Sequence, residues 1–157
     1  MKVYTILFSL ATVFAAESIS AKDTATHMST NSEIQWMTDF DAAKTLAKKE
    51  SKPMFVVFTG SDWCPWCKKM ENQIFATSTF KNALNGKVIF VKLDYPRNIA
   101  QDPATKKQNK QLAKQYSVNG FPVSLLLSSD GKEIERFSGF QSGGPEHFAN
   151  KILEAIK

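Results

Sequence analysis

The sequence predicts an α/β fold, a three-layer sandwich in which a central mixed sheet is flanked by helices. Three observations carry that prediction. Two continuous apolar runs, in "KPMFVVFTG" and "KVIFVKLD", lack the alternation of a half-exposed strand and read as strands buried on both faces. A helical stretch lies between them, and two buried strands joined by a helix lie parallel. Later, "FPVSLLLSSDGKEIERFSGF" gives two alternating strands around a Ser-Asp-Gly turn, an antiparallel hairpin that makes the sheet mixed.

In chain order, "MKVYTILFSLATVFAAES" places one charge, Lys2, before an apolar run from Val3 to Ala16 that ends in small residues. This is the pattern of a secretory signal peptide, assigned to residues 1–20. The run of 14 residues falls short of the ~20 that cross a bilayer as a helix, so stable membrane insertion is not expected. Polar Ser- and Thr-rich chain through residue 33 reads as a flexible linker, followed by one domain over residues 34–157. In that domain "IQWM" is a candidate first short strand. Phe40, Ala43, Leu46 and Ala47 fall at helical spacing after the candidate caps Thr38 and Asp39. A helix is expected from about Cys64 to Leu84, interrupted near Ala76 to Thr79. "YPRNIAQDPATKKQ" reads as a loop, and Lys107 to Tyr116 as a short helix. After the hairpin, Phe148, Ile152 and Ile156 mark one stripe of a last helix that starts at Pro145.

With 157 residues, 43% of them apolar and 12 of them Phe, the chain can build one ordinary core without a disulfide framework. The formal charge of +5 is unchanged by removal of residues 1–20, which takes away Lys2 and Glu17. Lys106, Lys107, Lys110 and Lys114 recur on one helix face and read as a solvated surface, with docking on an acidic partner as the alternative. No aromatics interleave with them, so nucleic-acid binding has little support.

The only two cysteines stand in "SDWCPWCKKME". A bridge enclosing so short a loop adds little stability, so a structural staple is disfavoured. Four ligands are needed for structural zinc, and the only histidines are His27 and His147. Two thiolates alone could hold Cu(I), which keeps a copper carrier open. The pattern fits redox chemistry best: Cys-x-x-Cys beside a βαβ unit is a redox motif first. Cys64 falls where strand gives way to helix, with Pro65 at the first helical position, where its missing N–H costs nothing. As N-cap, the Cys64 sulfur faces the N–H groups of Trp66 and Cys67 and the positive end of the helix, which favour thiolate. Lowering a thiol pKa from ~8.5 to ~7 raises the thiolate fraction about 16-fold, while lost nucleophilicity takes back about 5-fold. The depressed pKa therefore matters as much for leaving as for attack. Resolution by Cys67, one helical turn on, rests on proximity.

Residues 34 to 157 resemble the thioredoxin family, with Trp-Cys-x-x-Cys after a buried strand and Gly-Phe-Pro before the closing hairpin. Within it, "FTGSDWCPWCKKME" is similar to exported disulfide reductases of the DsbH type and to the C-terminal domain of the electron-relay protein DsbD. The resemblance implies a thioredoxin-like sandwich in which Cys64 attacks, Cys67 resolves and Pro122 is cis, its loop lying against the cysteines. Trp63, Pro65, Trp66, Phe121 and Pro122 are then candidate substrate contacts. Most thioredoxins carry a buried Asp six residues before the first cysteine, where this chain has Phe58. Glu71, four residues after Cys67 and on its helix face, is the candidate to replace it, partly desolvated as a base requires. The resulting expectation is a periplasmic or secreted thiol:disulfide oxidoreductase that reduces protein disulfides, needs no bound cofactor and draws electrons from a membrane donor of the DsbD kind. A dithiol oxidase or isomerase of the same fold and the copper(I) carrier are the alternatives.

Overall fold

The computed structural model describes residues 33–157. The expected signal peptide lies outside them, as does the expected linker except Glu33. Helix α1 (Phe40–Glu50) starts where the Asp39 carboxylate accepts the Ala42 N–H, and it stops at Ser51, whose backbone turns left-handed. Then come β1 (Met54–Thr59), α2 (Pro65–Met70), a π-helical turn over Glu71–Phe75, α3 (Ser78–Leu84), β2 (Ile89–Asp94), α4 (Pro103–Gln115), β3 (Val123–Leu127), β4 (Glu133–Ser138) and α5 (Gly144–Ala155).

The four strands form one sheet in the order β2-β1-β3-β4. β1 pairs parallel with β2 (Val57 opposite Lys92) and antiparallel with β3 (Phe58 opposite Val123), and β3 pairs antiparallel with β4. It follows that β1, β2 and β4 all run the same way, so the loops after them emerge at one end of the sheet. Alternation along β1 divides the core in two. Met54, Val56 and Phe58 pack with Phe40, Ala43, Ala47, Leu112 and Tyr116 from α1, α4 and its C-cap, while Phe55 and Val57 pack with residues of α2, α3 and α5. Phe55 and Phe148 are both fully buried, and their ring centroids are 6.0 Å apart. Sheet and two helical layers thus form the expected sandwich.

Several local expectations are corrected. "IQWM" contributes a single bridge, Met37 to Val91, instead of a strand, because Asp39 caps α1 only two residues later. The helix expected from Cys64 to Leu84 is interrupted where expected, Thr77 capping α3, but it also carries an unexpected π turn, where the Ala76 N–H reaches back five residues to Glu71 C=O. α4 starts at Pro103, not Lys107, because the Asp102 carboxylate accepts the Ala104 and Thr105 N–H groups and Pro103 takes the first helical position. β3 does not alternate: it is buried on both faces, and β4, at the sheet edge, buries only Phe137. The four lysines of α4 are exposed, as expected. Among the described residues no helix is long and apolar enough to cross a membrane.

Candidate active site

Thr59 ends β1, the turn 60–63 follows, and Cys64 becomes the N-cap of α2 with extended backbone (φ −88°, ψ 109°). Its Sγ accepts the Cys67 N–H at 3.2 Å. The Trp66 N–H, expected to join it, makes no such bond. Cys64 and Cys67 form a disulfide with Cα atoms 5.2 Å apart, and both are buried, 4% and 3% exposed. Gly60 N–H donates to Cys67 Sγ at 3.5 Å, a second main-chain donor directed at sulfur. Pro65 and Trp66 are exposed, Trp66 at 56%.

The turn is tied to the loop after β2 by two carboxylates. Asp94 accepts from Ser61 N–H (2.9 Å) and Ser61 O–H (2.6 Å). Asp62 accepts from the Arg97 N–H at 3.0 Å and from the Asn98 N–H. Partial desolvation raises the Asp62 carboxyl, but the main-chain N–H donors, led by those of Asn98 and Arg97, outweigh it and hold it below the usual carboxylate range. The Trp63 indole lies against Gly60, donates from Nε1 to the Tyr95 carbonyl at 2.8 Å, and carries the Arg97 guanidinium 3.6 Å above its ring. Its other neighbour is Phe121, edge-on at 5.8 Å. Phe121 also meets Tyr95 at 4.8 Å, and burial pushes the Tyr95 phenol well up. The Tyr95 O–H donates to Asn109 C=O at 2.6 Å, which anchors the loop on α4.

The Phe121–Pro122 peptide is cis, and Pro122 C=O accepts the Gly139 N–H at 2.8 Å. Because β3 starts only at Val123, Phe121 stands beyond the hydrogen-bonded ladder. On the opposite side of the site, Trp66 meets Phe140 at 6.0 Å, and Lys69 Nζ lies 5.1 Å and 4.5 Å from their ring centroids.

Behind Cys67 is a cavity of about 360 Å³ lined by Thr59, Ser61, Lys68, Glu71, Asn72 and Lys92 in addition to Cys67 itself. Glu71 therefore shares a space with Cys67, though its desolvation is partial: the side chain is 43% exposed and accepts from Lys92 Nζ at 2.8 Å. Phe58 is directed elsewhere, packing on Tyr95 and Tyr116 in the α1/α4 core. Thr59, not Phe58, is the β1 residue under Cys67. Among the described residues there is no group of three or more His, Cys, Asp or Glu side chains placed to hold a metal.

The sequence reading missed Lys92, Arg97, Lys69, Phe140 and Gly60. Lys92 left a local signal, a lysine inside an otherwise apolar strand, and Gly60 and Lys69 stand in the β1–α2 segment itself, four residues before and five after Cys64. Arg97 and Phe140 meet the site from segments whose neighbours are set by the sheet order.

Comparison with known proteins agrees with this geometry. The thioredoxin-like domain family matches residues 40–156. The disulfide bond reductase DsbH of Chlamydia pneumoniae is 36% identical over 124 residues, covering 79% of this chain and 74% of its own length. A solved structure of a DsbH oxidoreductase superposes with a TM-score of 0.74 at 35% identity, over 79% of this chain and 85% of its own. The reduced C-terminal domain of DsbD from Neisseria meningitidis, at 24% identity, shares the fold with a TM-score of 0.58 over 73% of this chain and 91% of its own. With a buried Cys64–Cys67 disulfide at the head of α2 and this match along most of its length, the chain belongs to the thioredoxin-like family, as a thiol:disulfide oxidoreductase of the DsbH type.

Proposed function

We propose that this chain is an exported reductase of protein disulfides. The observation that carries the reading is the Cys64 sulfur at the helix N-cap, accepting the Cys67 N–H, with Cys67 buried behind it beside a cavity. In the dithiol form the Cys64 thiolate attacks one sulfur of a substrate disulfide; a mixed disulfide forms and the first substrate thiolate leaves. Cys67, having lost its proton, attacks Cys64 Sγ, and the second substrate thiolate leaves. The substrate gains two electrons and two protons, and the protein ends as the Cys64–Cys67 disulfide. A dithiol of the DsbD kind, presented at the membrane, returns it to the reduced form.

In this reading Trp63, Pro65 and Trp66, which flank Cys64 in the chain, and Phe121 and Pro122, joined to them through the Trp63–Phe121 contact, bear on the substrate. The cavity has room for several waters at about 30 Å³ each, so a proton can pass from Cys67 toward Glu71 through water. The reductive direction is supported by the name of the relative that is 36% identical. Export is supported by the signal-peptide pattern of residues 1–20; mass spectrometry of exported material should find a mature start between Ala16 and Ala21, and an intact Met1 contradicts cleavage.

Equilibration with glutathione buffers tests the direction. A reductase is expected near the thioredoxin potential of about −270 mV, and a value near the roughly −120 mV of a strong oxidant reassigns the protein as a dithiol oxidase.

A further inference from the structure

Acidic side chains at the reactive end of the sheet already have partners: Asp62 with the main chain of Arg97 and Asn98, Asp94 with Ser61, and Glu71 with Lys92. Of the exposed cations there, Lys68 donates to the Asp62 carbonyl, and two, Arg97 and Lys69, have only aromatic rings against them. The Arg97 guanidinium lies over Trp63, and Lys69 lies over Trp66 and Phe140; among the described residues neither makes an ion pair. A cation resting on a ring face keeps its charge, and its outer N–H groups stay open to a carboxylate.

Their placement follows from the sheet. Arg97 follows the edge strand β2, Cys64 follows the inner strand β1, and the Phe140 under Lys69 follows the opposite edge strand β4. All three strands end on the same side, so the two cationic platforms flank the attacking sulfur. Three strand spacings of ~4.8 Å separate the edges by roughly 14 Å. An extended chain covers that distance in about four residues, at ~3.3 Å each, and its alternate side chains share one face.

Resting on the reductase reading above, we infer that this face selects substrate segments whose reacting cysteine has a carboxylate two residues away on each side, the pattern Glu-x-Cys-x-Glu. In such a segment the cysteine and both carboxylates point the same way, one carboxylate toward Arg97 and the other toward Lys69. The exposed Trp66 ring offers the apolar floor between them.

The test uses three disulfide-linked peptide dimers that differ only in the flanking pair: Glu, Gln or Lys. Oxidation of the reduced protein by each is followed by stopped flow. Two exposed charge contacts should favour the Glu over the Gln peptide about 5-fold at low salt. That ratio should fall toward one near ~0.5 M salt, where charges are screened beyond a few ångströms. It should also fall in the double variant Lys69→Gln, Arg97→Gln, and comparing ratios cancels the peptides' own thiol reactivity. A Glu:Gln ratio unmoved by salt and equal in wild type and variant overturns the preference and leaves the reductase reading intact. If none of the three peptides oxidises the protein, the reductase reading falls and this inference falls with it.

Discussion

The Lys92 ammonium lies 2.8 Å from the Glu71 carboxylate, and both side chains line the cavity that reaches Cys67. In the mechanism proposed above, the pair brings a proton-accepting group to the resolving thiol, Lys92 from β2 and Glu71 from the end of α2. Glu71→Gln keeps the shape and removes the acceptor. Release of substrate held on Cys64 is expected to slow about 10²-fold near pH 7, with little change in the first attack. Release at the wild-type rate between about pH 6 and pH 9 would show that Glu71 is only a helix residue paired to a lysine.

Cys64 and Cys67 are equally buried, yet only Cys64 caps the helix. Cys67→Ser should accumulate substrates as mixed disulfides on Cys64, visible on non-reducing gels. Cys64→Ser should trap few, because the remaining thiol sits behind the turn. Equal trapping by the two variants reverses this assignment of roles.

Gly60 is required by the indole beside it. A Cβ built there would stand 2.6 Å from Trp63 Cε2 and 2.7 Å from Nε1, so Gly60→Ala must push the ring off its bond to Tyr95 C=O and out from beneath Arg97. Urea denaturation should show a loss of about 1–3 kcal/mol, the usual cost of overpacking. An unchanged midpoint would mean that the turn relaxes without moving Trp63.

Asp62 makes the Arg97 loop sensitive to acid. Its carboxyl is lowered in the folded protein, so the stabilisation it gives is fully present above the unfolded value of ~3.9 and is lost as pH falls through the lower folded value. Amide exchange at Arg97 and Asn98 should therefore gain protection as pH rises through that acidic window, after correction for intrinsic exchange. In Asp62→Asn the step should vanish. A wild-type step of the same size in the variant would assign the titration to another group.

What was legible in the sequence was local. Uninterrupted apolar runs marked β1 and β2 as buried on both faces, the Ser-Asp-Gly turn marked the hairpin, and Pro65 after Cys64 marked the head of α2, because each rests on contacts within a few residues. The Asp102-Pro103 start of α4 is equally local, but it stands inside a polar, proline-containing stretch with the composition of a loop. Chain distance misled only where it was asked to stand for a direction in space.

Counting six residues back from Cys64 lands on Phe58, but strand alternation turns Phe58 toward Tyr95 and Tyr116 and leaves Thr59 under Cys67. Tertiary structure alone decided that Lys92 meets Glu71, that Arg97 covers Trp63, and that Phe140 carries Lys69 beside Trp66. The residues in these meetings lie 21, 34 and 74 positions apart for Lys92–Glu71, Arg97–Trp63 and Phe140–Trp66. Such pairs form only after strand order and register are set, by burial summed over the whole sheet, and no short window of sequence contains that sum.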